Sequence, residues 1–269
     1  ATDLQHSLGF SGRKMRIRDG SYYDCADADL CVLSVGAQFA PNTPRLDRMD
    51  HAATMLGRIV PSVMATGFDG IFLVVTNPVD LMTWLVQQLS GLPDTRVIGT
   101  GTALDTARLR FYLADALDVD PRSVTACVLG EHGEEQMIPW SQVAVAGKPL
   151  AAILQDDPER LPGFDGEAIC NTIAEITYNL ASVKGATTFG IASITAEIIK
   201  AILQDDNRIL PVSAMLHGEY GEEDVYMGVP AVLGAAGVKE LVEYHLNDAE
   251  RARFARSAQA LRQYMTSIS

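Results

Sequence analysis

The sequence predicts an α/β fold in two parts: a parallel sheet with crossover helices over residues 1–99, then an α+β domain over 100–269. Three observations lead there. The first hundred residues alternate short apolar runs with longer helical patterns, the order in which parallel strands and their crossovers are laid down. The runs Asp29-Leu-Cys-Val-Leu-Ser-Val35 and Ile71-Phe-Leu-Val-Val-Thr76 are almost unbroken in apolar character, which suits strands covered on both faces. From Thr100 the alternation loosens into long helices and irregular strands. The 269 residues, 48% of them apolar, supply ample core for two domains.

The elements follow in order. Strands are expected at 14–18, 29–35, 71–76 and 96–99. The second ends at Gly36 and enters a Pro-interrupted loop, Ala37 to Pro44, before a helix from Arg45 to Gly67. The third ends at Asn77-Pro78, after which Leu81, Leu85 and Leu89 recur at helical spacing. Ligands in such sheets sit beyond the carboxyl ends of the strands, so both loops are candidate site walls. Further on, helices are expected at 103–117, 165–183 and 186–204, strands near 124–129, 142–147, 209–216 and 225–232, and a last helix from 248. The 186–204 segment gathers Ile191, Ile194, Ile198, Ile199 and Ile202 on one broad face, as an interior or interface helix does. Asn247 and Glu250 have the spacing of a capping box.

Charge narrows the function. With 21 basic against 34 acidic side chains the net charge is −13, and there is no basic run. That disfavours a nucleic-acid or anionic-membrane surface, where phosphates require a positive patch. No apolar run approaches the ~20 residues of a membrane helix, and the N-terminus has no secretory pattern. The four cysteines, Cys25, Cys31, Cys127 and Cys170, lack C-x-x-C or metal-ligand spacing. They are expected to be small core residues in a reducing cytosol, with no metal.

Four places could carry chemistry. In Gly99-Thr-Gly-Thr-Ala-Leu-Asp-Thr-Ala-Arg108, a helix opens at a sheet edge with Asp105 and Arg108 three apart on one face. The plain structural reading is a Thr102 cap and a surface ion pair; the functional one is a charged pair aimed at a ligand. His132 lies between glycines in Gly130-Glu-His-Gly133, Asn77-Pro78 is a common turn start, and Arg45 follows the Pro-containing loop. Each alone has an ordinary explanation.

Together and in order they resemble the L-lactate and malate dehydrogenase family. The resemblance runs from Asn77-Pro-Val-Asp80 through Gly99 to Arg108, Gly130 to Gly133, Lys184-Gly-Ala-Thr187 and Asp224-Val-Tyr-Met-Gly-Val-Pro230 to Leu246-Asn-Asp248. It implies a Rossmann-type NAD-binding domain over 1–99, incomplete at its N-terminal end, and a catalytic substrate domain over 100–269. By the same resemblance His132 is the acid/base histidine and Asp105 its carboxylate partner. Arg108 is the substrate-carboxylate arginine, and Arg45 the mobile-loop arginine that polarises the carbonyl. Asn77 orients the carbonyl oxygen, with a cis bond to Pro78, and Thr187 lines the side-chain pocket. Gly36, Ala37, Val75, Thr100 and Ile191 fall on the nicotinamide side. The chemistry suits the residue types: a 2-oxo acid needs a proton donor beside its carbonyl, and a carboxylate is gripped in two places only by a guanidinium.

Substrate choice in the family is made on the mobile loop, where Phe39 stands at the deciding position. An aromatic cannot pair a second carboxylate, so malate is disfavoured. Pyruvate/L-lactate is the expected pair, with a bulkier apolar 2-oxo acid such as 2-oxoisocaproate, or a broad 2-hydroxy acid range, as the alternative in class. Arg110 matches a residue of the family's allosteric sugar-bisphosphate site, but Thr125 stands where a His is required, so that effector is not expected. A homotetramer is implied, or a dimer. The sequence also has no G-x-G-x-x-G ahead of Ala1-Thr-Asp-Leu-Gln-His-Ser7, from which a fragment of a complete enzyme is expected. A reading of a different class is a non-catalytic remnant, which predicts no dinucleotide binding.

Overall fold

The computed structural model describes residues 1–10, 15–36, 45–185 and 187–268. After a short helix α1 (Thr2–Ser7), the chain alternates β1 (Leu30–Leu33), α2 (Arg45–Met64), β2 (Ile71–Val74), α3 (Val79–Ser90) and β3 (Val97–Gly99). β1 pairs with β2, and β2 with β3, in parallel. All four residues of β2 are buried, the reason its sequence reads as one apolar run. α3 ends where Gly91 takes the left-handed conformation, φ 64°, and its amide donates to the Gln87 carbonyl.

The second half contributes α4 (Ala103–Leu117), a small sheet of β4 (Val124–Thr125), β5 (Ala144–Val145) and β6 (Lys148–Pro149), and helices α5 (Leu150–Asp156), α6 (Gly166–Lys184) and α7 (Phe189–Leu203). Then come β7 (Arg208–His217), β8 (Glu223–Gly234), β9 (Gly237–Leu241) and α8 (Asp248–Ile268). β7, β8 and β9 continue the first sheet in antiparallel fashion, giving the order β1-β2-β3-β7-β8-β9. The junction is a single pair, Gly99 opposite Ser213. A Cβ on Gly99 would stand 2.8 Å from the Ser213 Cβ and 2.3 Å from Thr83 Oγ1, so the two halves can approach here only through glycine.

Helices cover both faces of the sheet. On one side Leu56 and Val60 of α2, Val79, Met82 and Val86 of α3, and Phe254, Ala258 and Leu261 of α8 pack with Phe72 and Val74. On the other, Ile198, Ala201 and Ile202 of α7 pack with Leu73, Ile98 and Val212. A separate core gathers Leu109 and Leu113 of α4 with Ile169 and Ile173 of α6 and the small sheet. α8 begins as its sequence predicts: the Glu250 amide donates to Asn247 Oδ1 and the Asn247 amide to Glu250 Oε2, each at 3.0 Å.

Several expectations need correction. Residues 15–18, predicted as strand, form none: a strand needs a neighbour to complete its ladder, and among the described residues none pairs with this segment. The Ile17 amide instead donates to Gln5 Oε1 at 2.7 Å. The strand predicted over 124–129 is a ladder only at Val124–Thr125, plus one bridge from Leu129 to Met137. β6, α5 and β9 are additional to the elements read from the sequence.

Two glycines with positive φ test this packing. At Gly101, φ 50°, an added Cβ would lie 2.3 Å from the Ser213 amide nitrogen and 2.5 Å from the Val212 carbonyl carbon, whereas at Gly91 it would meet open space. Gly91→Ala should cost about 1 kcal/mol through backbone strain alone, and Gly101→Ala about 3 kcal/mol because backbone atoms must also move. Urea unfolding of the two variants measures the gap, and equal losses would contradict the packing.

Candidate active site

The carboxyl ends of β2 and β3, the start of α4 and the loop around His132 converge on one pocket. It is lined by Val75, Asn77, Thr100, Arg108, His132, Thr187 and Ile191, all singled out in the sequence, together with Gly101 and Leu104. The Asn77-Pro78 bond is cis. Gly36 is exposed just beyond β1 and does not line the pocket. Ala37 and Phe39 lie outside the described residues, and Arg45 is described only as the first residue of α2.

Asp105, in the first turn of α4, is the hub. Its Oδ2 is 2.5 Å from His132 Nδ1, and its Oδ1 accepts from Arg108 Nη1 at 2.9 Å. An ionised carboxylate can only accept, so Nδ1 carries the proton and Nε2 is the imidazole atom left for chemistry. The side chains of Asp105, Arg108 and His132 are 2%, 10% and 17% exposed, so the pair expected at the surface is instead enclosed. Thr102 is not a side-chain cap either: its hydroxyl donates to the Val128 carbonyl at 2.6 Å, tying α4 to the strand-like segment before His132.

That segment is fastened on other sides as well. Gly130 exchanges backbone hydrogen bonds with Gly228 of β8 at 2.8 and 3.0 Å. The Glu131 amide donates to Ser257 Oγ of α8 at 2.8 Å, and the His132 amide donates to Asp80 Oδ2 of α3 at 2.8 Å. Close approach needs glycine: a Cβ on Gly130 would stand 2.7 Å from Ser257 Oγ, and one on Gly228 2.5 Å from Thr102 Oγ1. Gly101, Ser257, Gly228 and Asp80 were not identified from sequence as site residues, although Gly101, Asp80 and Gly228 lie inside motifs that carry the resemblance.

Electrostatics follow from the geometry. Burial works to lower the His132 pKa, but the charge and hydrogen bond of Asp105, aided by Asp80, outweigh it and hold the imidazole above its ordinary 6.5. Burial alone would raise Asp105; His132 and Arg108 reverse that and hold it below 3.8. The site thus favours an imidazolium against a carboxylate, in an enclosed pocket with a guanidinium beside it. For a nicotinamide ring the residues present are compatible, since Val75 and Ile191 offer apolar side chains in the same pocket as His132.

The fold and this site define a dinucleotide-type α/β protein with an enclosed histidine held by an aspartate and an adjoining arginine. Residues 1–99 match the lactate/malate dehydrogenase NAD binding domain, and residues 102–269 the lactate/malate dehydrogenase alpha/beta C-terminal domain. The chain belongs to the lactate/malate dehydrogenase family. It is 45% identical to L-lactate dehydrogenase 3 of Bacillus cereus over 268 residues, spanning 100% of this chain and 85% of the relative. L-lactate dehydrogenase 2 of Bacillus anthracis is 43% identical over the same shares. Among solved structures, the ligand-bound minor L-lactate dehydrogenase of Enterococcus mundtii superposes with a TM-score of 0.95 at 40% identity, again over 100% of this chain and 85% of that one.

The sign of the histidine shift gives a test. A folded pKa above 6.5 means that the native state holds the proton more tightly, so the Asp105–His132 pair contributes stability that is complete below 6.5 and lost as pH rises through the folded value. In Asp105→Asn that contribution disappears. Urea unfolding of wild type and variant should therefore differ most near about pH 6 and converge toward about pH 9, apart from a constant offset. A difference independent of pH over this range would contradict the pairing.

Proposed function

We propose that the chain is an NAD-dependent L-lactate dehydrogenase, interconverting pyruvate and L-lactate. The observation that carries the reading is the buried Asp105 joining His132 and Arg108 in one pocket. Two further supports are the family membership and the relatives named L-lactate dehydrogenase. In this reading residues 1–99 are the remainder of the NAD-binding domain and 100–269 the catalytic substrate domain, and the site draws residues from both.

Reduction of a 2-oxo acid places a hydride on the carbonyl carbon and a proton on its oxygen. NAD, bound in its reduced form, supplies the hydride, with Gly36, Ala37, Val75, Thr100 and Ile191 on the nicotinamide side. His132 gives the proton from Nε2 and takes it back in the reverse direction, while Asp105 holds the opposite ring nitrogen and stabilises the imidazolium. Arg108 grips the substrate carboxylate through two parallel hydrogen bonds. Asn77 orients the carbonyl oxygen and Arg45 stabilises the charge that develops on it. Thr187 and Phe39 are assigned to the substrate side chain, and an aromatic at position 39 cannot pair a second carboxylate, which disfavours oxaloacetate. The four cysteines are free, in keeping with a reducing cytosol, and the assembly is a homotetramer, with a dimer as the alternative.

The first experiment is NADH binding by this chain, followed by NADH oxidation with pyruvate, 2-oxoisocaproate and oxaloacetate. Pyruvate should give the highest kcat/KM and oxaloacetate the lowest; failure to bind NADH would fit the fragment reading if a chain extended upstream binds and reacts, and the non-catalytic remnant if that chain fails as well. His132→Asn should lower kcat in both directions by about 10²- to 10⁴-fold, the usual worth of a positioned acid or base. Unchanged turnover would remove it from the reaction. Arg108→Lys should raise the KM for pyruvate by roughly tenfold or more while leaving the Kd for NADH within about twofold, because the bidentate fork is lost and the cofactor is untouched. Equal losses would argue against that assignment.

A further inference from the structure

Asp80 is a buried carboxylate that the chemistry above does not use. It sits in the first turn of α3 and is 2% exposed. Both its oxygens are engaged with residues distant in sequence: Oδ2 accepts the His132 amide at 2.8 Å, and Oδ1 accepts the hydroxyl of the fully buried Ser213 at 2.5 Å. A neutral amide could accept from the His132 amide and, with the Ser213 hydroxyl turned to accept, keep both partners at a smaller desolvation penalty, so an ionisable group at this position calls for a reason. Burial pushes the Asp80 carboxyl up to about 6, with Ser213 and His132 acting the other way and Glu131 adding to the rise.

Geometry supplies the reason. Ser213 lies on β7 at the one pair that joins it to β3, so Asp80 ties the His132 backbone to the point where the two halves of the sheet meet. The charged groups facing the imidazole are Asp105 and Arg108 from α4 and Asp80 from α3, with Glu131 neighbouring Asp80 from the loop itself. We propose that Asp80 is the positioning residue of the acid–base centre: anchored by Ser213, its carboxylate holds the His132 backbone where the imidazole meets Asp105, and sets a second negative charge beside the imidazolium. The inference rests on the reading of His132 as the proton-transferring group.

Two readouts test it, and the first needs neither substrate nor cofactor. Titration of ¹⁵N-histidine-labelled chain by NMR, with the His132 signals assigned by their loss in His132→Asn, gives the imidazole pKa directly. Asp80→Asn should move it down by about half a pH unit or more, because the amide keeps the hydrogen bond and removes the charge. An unmoved value overturns the proposal. The second readout is kinetic. Asp80→Ala should lower kcat for pyruvate reduction by about tenfold, a fraction of what proton transfer by a well-placed acid contributes, with KM changed less than about twofold because Arg108 is untouched. Asp80→Asn should recover part of that kcat while the alkaline fall of kcat/KM moves to lower pH. Wild-type kcat in Asp80→Ala, or no recovery in Asp80→Asn, overturns the proposal. Should Asp80→Ala fail to fold, Ser213→Ala loosens only the anchor and should lower kcat several-fold at unchanged KM; wild-type kcat there overturns it as well. If the unmodified chain does not reduce pyruvate, the functional reading fails, and the NMR titration still decides the role of Asp80.

Discussion

The structure turns on one buried carboxylate with two cationic partners. Asp105 gives one oxygen to Arg108 and the other to His132, and it can do so while enclosed because the opposing charges compensate the loss of water. Remove either partner and one carboxylate oxygen loses its hydrogen bond in a low-dielectric pocket. The i, i+3 spacing on α4 brings Asp105 and Arg108 together automatically. Bringing His132 to the same place is a tertiary problem, and much of the surrounding architecture bears on it.

Four elements solve it from different directions. Thr102 at the head of α4 holds the Val128 carbonyl, β8 pairs Gly130 through Gly228, α8 receives the Glu131 amide on Ser257, and α3 receives the His132 amide on Asp80. None of these bonds uses the imidazole, so the ring's own atoms stay committed to Asp105 and the pocket. The glycines at 130 and 228 mark where backbone and side chains come too close for a Cβ.

What could be read from the sequence follows the range of the interactions. The strands of the first half are legible because both faces of the sheet are covered and the runs are apolar throughout. α4 and α8 are legible because the Asp105–Arg108 spacing and the Asn247–Glu250 box are local. The segment 124–129 misleads for a physical reason: Val124, Ala126 and Val128 enter one core while Cys127 and Leu129 enter another. The alternation therefore comes from lying between two cores, and little ladder accompanies it. β9, Gly-Val-Lys-Glu-Leu at the far edge of the sheet, has the exposed Lys239 and Glu240 at its centre, so no apolar run announces it. In the site, His132 stands out only through the resemblance of its motif. Asp80 and Ser213 meet across 133 residues of chain, a separation that no local pattern encodes.

The fastening of the His132 loop also ties its mobility to that of the whole molecule. Backbone amides in loops commonly exchange with solvent through small local openings, whereas those held by several core elements exchange only when larger units come apart. The amides of Gly130, Glu131 and His132 are bonded to β8, α8 and α3 respectively. Freeing this stretch means detaching a sheet strand and two helices at once. On heating, His132 accordingly keeps its place until the sheet and its covering helices give way together, and its setting is lost in the cooperative transition rather than ahead of it.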